Sequence, residues 1–174
     1  LYATQPAIYG RARAWLAKCY VEQEWYYDAE DVMTKIKRDS IHWRAQKEWD
    51  YTFADYYIRT ERYKEAIPYL RKVIRHEMRR KQKAREWYLM GQIQALSGNK
   101  TEAYKAFRHV IRLNPPYELE FNARVAMTEV MASGQAKKMI RKLKRMAVSD
   151  NNKEYLDQVY YAIGNIHLMN RDTL

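Results

Sequence analysis

Six cations fall between residues 137 and 145: Lys137, Lys138, Arg141, Lys142, Lys144 and Arg145. They surround an apolar stripe of Met139, Ile140 and Leu143, the pattern of an amphipathic helix. A second basic cluster is Arg79, Arg80, Lys81, Lys83 and Arg85. Clusters of this kind contact phosphate groups or anionic lipid, or simply form the solvated face of a helix. The net charge of +11 admits nucleic acid, anionic membrane surfaces or acidic protein segments as partners and does not choose among them.

The residues that could do catalysis do not gather. His42, His76, His109 and His167 are scattered, and none has metal-ligand spacing to another His, a Cys or a carboxylate pair. Cys19 is the only cysteine, which excludes an intrachain disulfide and reads as a small packed residue rather than a reactive one. Glu30 and Asp31 are adjacent, so on a helix they point different ways and cannot act as a paired acid site. No glycine-rich phosphate loop occurs. The sequence therefore argues against an enzyme and offers no cofactor or metal site.

The elements that position these residues repeat. Ala17, Ala54 and Gly91 recur at an interval of 37, and Ala29, Ala66 and Ala103 recur at the same interval, always 12 residues later. Two locked series of small residues mean copies of one unit, and a period of this size is the signature of a solenoid. With 5 Gly and 4 Pro in 174 residues there is little turn material for a β fold. Each unit reads as a helix, a short turn and a second helix. The second helix carries one buried stripe, as in Ala66, Leu70, Val73 and Ile74 or Ala103, Phe107, Val110 and Ile111. Ser97-Gly98-Asn99 reads as a turn with Gly98 ending one helix and Asn99 or Thr101 capping the next. Ser133-Gly134 repeats that turn, and Asn114-Pro115-Pro116 is a stop. Small residues are required where the two helices of a unit cross, because a larger side chain would push their axes apart. The fourth copy places Met127 and Met139 on the two series, which predicts a looser or shifted helix pair.

These positions resemble the tetratricopeptide repeat, whose pattern is Trp 4, Leu 7, Gly or Ala 8, Tyr 11, Ala 20, Phe 24 and Pro 32. Trp87, Gly91, Ala103, Phe107 and Pro115 match it in the third unit, with Met90 for the Leu and Gln94 for the Tyr. The second unit supplies Phe53, Ala54, Tyr57, Ala66 and Leu70, and the first supplies Leu16, Ala17, Tyr20 and Ala29. Trp87, Tyr57 and Tyr20 thereby fall on core positions. The resemblance implies an all-α, right-handed superhelical solenoid of antiparallel helix pairs. The units are expected over 10–46, 47–83, 84–119, 120–156 and an incomplete 157–174, and the chain is expected to be a fragment of a longer protein. The period exceeds the usual 34 by three, which extends the second helix or its exit loop at Lys81-Gln82-Lys83.

The resemblance also implies that the first helix of each unit, helix A, lines a partner-binding groove. Its centre maps to Lys18, Tyr51, Asp55, Arg59, Arg85, Tyr88, Gln92 and Arg124. Arg11, Ala14, Glu22, Glu48, Phe121, Thr128, Tyr161 and Asn165 fall on the same face. Arginine grips carboxylates with paired hydrogen bonds and tyrosine offers a rigid face, so the groove suits a peptide with some acidic character. The carboxylate clamp of chaperone-binding members is not matched. Its positions are held by Ala14, Lys18, Thr52, Arg85 and Leu89, of which only Arg85 fits.

Two segments, Trp25–Asp31 and Asn114–Arg124, resemble the repeat-containing lipoproteins of type IX secretion and gliding motility in Bacteroidota. Asp39-Ser40-Ile41 and Asp172-Thr173-Leu174 have the form of that phylum's O-glycosylation triplet. This narrower resemblance implies an outer-membrane lipoprotein facing the periplasm, with a lipid anchor outside this segment; without it the expected compartment is the cytoplasm. The expected function is a protein-binding scaffold. The alternative is a nucleic-acid-binding helical repeat that uses Arg79, Arg80, Lys81, Lys137, Arg141 and Arg145.

Overall fold

The computed structural model of the protein describes residues 5–38, 41–131, 136–148 and 150–169. The Ser133-Gly134 turn, most of the 39–41 triplet and the 172–174 triplet lie outside them. Among the described residues all regular structure is helical. The order is α1 (Pro6–Glu22), α2 (Tyr26–Arg38), α3 (Gln46–Arg59), α4 (Tyr63–His76), α5 (Arg80–Leu96), α6 (Lys100–Arg112), α7 (Tyr117–Val130), α8 (Ala136–Val148) and α9 (Leu156–Met169). Short 3-10 turns precede α3 (Trp43–Ala45) and α9 (Asp150–Tyr155). Consecutive helices pack as pairs, the tetratricopeptide-like arrangement. The chain divides into two compact units, Leu1–Met78 and Arg79–Leu174.

All six small residues of the two series are buried. Ala17, Ala29, Ala66 and Ala103 have no exposed surface at all. The tightest crossing is α5 on α6. A Cβ added at Gly91 would lie 2.4 Å from the Phe107 ring. The place of Phe107 in the helix pair is taken by Met33 in the first pair and Leu70 in the second, and there the small residue is Ala. A large ring on one helix thus goes with the loss of the last methyl group on the other.

The turns inside the pairs also repeat. Glu24, Glu61 and Gly98, again 37 apart, hold positive φ of 61°, 58° and 81°. In each turn the next amide closes a long hydrogen bond back into the helix: Trp25 to Tyr20, Arg62 to Tyr57 and Asn99 to Gln94, at 2.8, 2.8 and 2.9 Å. This is the helix C-cap in which glycine is favoured, because a Cβ is crowded there. Gly98 behaves as expected, whereas two copies carry a glutamate. Asn99 stands at the N-cap of α6, but its side-chain amide donates to Gln94 Oε1 at 3.0 Å and leaves the helix uncapped by it.

In the first unit, α3 is clasped to α1. The fully buried Trp49 donates its indole N–H to the Gly10 carbonyl at 3.0 Å, and the Thr52 hydroxyl lies 3.3 Å from the Ala14 carbonyl. Phe53 stacks on Tyr69 with ring centroids 4.8 Å apart, and Tyr69 on Tyr57 at 5.8 Å. Asp50 is buried beside Trp49. It accepts from the Gln46 amide at 2.9 Å and from Lys72 Nζ at 3.4 Å. In the second unit one core joins α5, α6 and α7 around Phe107, Val110 and Met127. A second core joins α7, α8 and α9 around Phe121, Leu143, Val159 and Ile166. The fourth pair is shifted: α8 lies chiefly on α9, and Met139 packs in that second core rather than at an α7–α8 crossing.

Four expectations are corrected. Lys81-Gln82-Lys83 belongs to α5, so the extra length of the period lengthens the start of helix A instead of extending helix B or its exit loop. Cys19 is exposed, because Ala17 and Val21 take the buried face of α1 and a residue midway between them points away. Leu16 is 45% exposed, although Phe53 and Met90 at the same repeat position are buried. Tyr20 is half-buried and stacks on Trp25 at 6.0 Å.

Gly91→Ala is expected to cost about 2–3 kcal/mol in overpacking, more than the roughly 1 kcal/mol of helix propensity gained. Its urea midpoint should fall, and Phe107→Leu in the same chain should recover part of the loss. An unchanged midpoint for Gly91→Ala would contradict the close approach. Glu61→Gly should raise the unfolding free energy by about 0.5–1 kcal/mol, the left-handed penalty less the greater unfolded freedom of glycine. A drop on urea unfolding would show that the Glu61 side chain stabilises the turn.

Candidate partner-binding faces

The A helices are α1 and α3 in the first unit and α5, α7 and α9 in the second. In the first unit Lys18 rests over the rings of Trp15 and Tyr51, at 5.2 and 5.4 Å. Trp15 is 58% exposed and Tyr51 41%. Cation–π contact of this kind holds the ammonium group over the rings without covering them. Arg59 is occupied: it meets Asp55 at 3.1 Å and Glu22 at 2.8 Å. Arg11 holds Glu48 at 2.9 Å. Lys18 and Tyr51 are thus brought together, as are Asp55 and Arg59, but Arg59 grips carboxylates of its own chain.

In the second unit Tyr88 from α5 is half-buried against Phe107, with ring centroids 5.4 Å apart. It lines a cleft of about 450 Å³ with Val125 and Glu129 of α7 and Asp157, Gln158 and Tyr161 of α9. Burial raises the Tyr88 phenol above its usual pKa, and the nearby Glu129 adds to this. Burial also holds the Glu129 carboxyl above the usual carboxylate range, opposed by a hydrogen bond from Asn165 Nδ2 at 3.3 Å. Arg85 and Gln92 are exposed on α5 and do not line the cleft.

Arg124 lies elsewhere. It holds Glu120 at 2.6 Å and lines a separate cleft of about 370 Å³ with Tyr117, Lys142 and Arg145. Phe121 and Thr128, expected on the groove face, are buried.

Sequence reasoning misses Glu129 and Asp157. Neither belongs to a motif, and only the packing of α7 against α9 brings them to one cavity. Tyr161 and Asn165 are visible from the repeat register, because they occupy face positions of an A helix.

The six residues of the expected basic patch are all exposed. Arg79 precedes α5, and Arg80 and Lys81 lie in its first turn. Lys137, Arg141 and Arg145 project from α8, whose one fully buried residue is Leu143. Among the described residues Lys137, Arg141 and Arg145 form no ion pair. Neither α5 nor α8 has an acidic residue in its first turn, so cations stand where the helix dipole is also positive.

The histidines serve separate local roles. His109 stacks on Trp87 at 4.4 Å, and burial lowers its pKa, helped by Arg112 and Arg108. His42 Nδ1 accepts the Arg44 amide at 3.2 Å, and His76 Nε2 lies 3.9 Å from Asp50. Among the described residues no three His, Cys, Asp or Glu side chains gather as a metal site, and no helix is long and apolar enough to cross a membrane.

Comparison with curated proteins and with solved structures gives no match. Over residues 51–75 and 77–117 the chain matches the family model of the tetratricopeptide repeat, a helix-pair repeat that generally mediates protein–protein interaction.

Proposed function

We propose that this chain is a protein-binding scaffold whose A-helix faces hold segments of partner proteins. The observation that carries this reading is the exposure of Trp15 and Tyr51 around Lys18 on neighbouring helices of the first unit. Exposed aromatic rings held by packed helices offer contact area at low entropic cost, which suits protein recognition. Beyond that, we assign the scaffold to a secretion or gliding-motility assembly at the periplasmic face of an outer membrane. The support is the resemblance of Trp25–Asp31 and Asn114–Arg124 to lipoproteins of that machinery.

A second reading uses α8 and the start of α5 to bind nucleic acid. Lys137, Arg141 and Arg145, exposed and without an ion pair among the described residues, favour it. Arg141→Glu with Arg145→Glu would abolish RNA binding at physiological salt under this reading and leave protein capture intact under the first.

The scaffold reading is tested by photo-crosslinkers placed singly at Tyr51, Gln92, Arg71 and Lys105 of the full protein in its native cell. Protein adducts are expected from Tyr51 and Gln92 on A helices and few from Arg71 and Lys105 on B helices. Adducts confined to the B helices, or to RNA, would overturn it.

A further inference from the structure

The first unit shows how this chain satisfies carboxylates on neighbouring A helices. Glu22 of α1 and Asp55 of α3 share the Arg59 guanidinium, and Glu48 takes Arg11. In the second unit Glu120 of α7 has Arg124, but another pair of carboxylates on neighbouring A helices has no such cation. Glu129 of α7 and Asp157 of α9 line the cleft described above, and no Lys or Arg is among its walls. That is unexpected in a chain where 32 of 174 residues are basic. Among the described residues neither carboxylate forms an ion pair. The same cleft is also lined by Tyr88, Tyr161 and Val125.

These features specify a ligand chemistry. Two carboxylates call for a cation, and tyrosine faces attract one. A guanidinium meets both demands, since it is planar, always charged and able to bond carboxylates through several N–H groups while stacking on a ring. An ammonium group satisfies the charge but not the planar contacts.

We propose that this cleft receives an arginine side chain from a partner protein, with the guanidinium held by Glu129 and Asp157 and the stem against Tyr88, Val125 and Tyr161. The partner thereby supplies what Arg59 supplies within the first unit. The proposal rests on the scaffold reading and names the partner chemistry for one of its faces. The titratable groups lining the cleft with Glu129 are Tyr88 from α5 and Asp157 and Tyr161 from α9. Burial resists ionisation of Glu129, so an arriving cation favours loss of its proton. Binding therefore strengthens as pH rises through the Glu129 pKa and weakens below it.

The test is a titration of the full chain, followed by NMR, with N-acetylarginine methylamide as the probe. The citrulline analogue is the uncharged isostere, and the lysine analogue is the point-charge control. The arginine compound should shift the signals of Gln158 and Tyr161, the lysine compound less, and the citrulline compound not at all. Glu129→Gln with Asp157→Asn should weaken arginine binding by at least about tenfold while leaving helicity unchanged, because each amide keeps the shape of its acid. Equal binding of citrulline, unchanged binding by the double variant, or no shift with arginine would overturn the proposal. Crosslinks from Tyr51 and Gln92 report on the scaffold reading separately. If they persist while arginine selectivity is absent, only the assignment of this cleft fails.

Discussion

The contact between Gly91 and Phe107 sets how closely a helix pair can close, and the rest of the second unit's first core is arranged around it. A ring seated against a bare backbone buries a large apolar area with little void, at the cost of one methyl group that no substitution can restore freely. The same crossing in the first two pairs uses Ala17 and Ala54. It follows that the spacing of the pairs is specified locally, by two residues a fixed distance apart. Neighbouring pairs can then differ in surface chemistry without disturbing the crossing.

That independence explains the contrast between the faces. In the first unit arginines and carboxylates neutralise one another, and the exposed feature is a lysine flanked by rings. In the second unit the carboxylates stand without cations around a cleft. Exposed cations gather instead on α8, which packs more on α9 than on its own helix A, α7. Met139 packs partly buried in the core of α7, α8 and α9, where its flexible side chain fits a looser helix pair than an alanine crossing would form.

Much of the fold is legible in the sequence because its signals are local and periodic. Ala29, Ala66 and Ala103 mark helix crossings wherever they occur, and Gly98 marks a left-handed turn. Glu24 and Glu61 hide the same turn, since a residue type tolerated there at a cost gives no sign of its φ. The burial of Asp50 is equally hidden. Its partners Gln46 and Lys72 are polar residues that any exposed helix would carry. The candidate faces are half legible. The repeat register supplies Tyr51, Tyr88 and Tyr161, but pairing decides whether a charge is available. Arg59 and Arg124 are held by Asp55, Glu22 and Glu120, contacts that depend on rotamers and neighbouring helices. Glu129 and Asp157 become notable only through the cations missing around them.

The central claim is that the A helices, and not the basic B helix α8, carry the interaction. Hydrogen–deuterium exchange of the full protein, free and bound to its native partner, tests this most directly. Slowed exchange concentrated in α1 and α3, or in α5, α7 and α9, is the predicted result. Slowing confined to α8 and the Arg79–Lys83 segment, with the A helices unchanged, would contradict it.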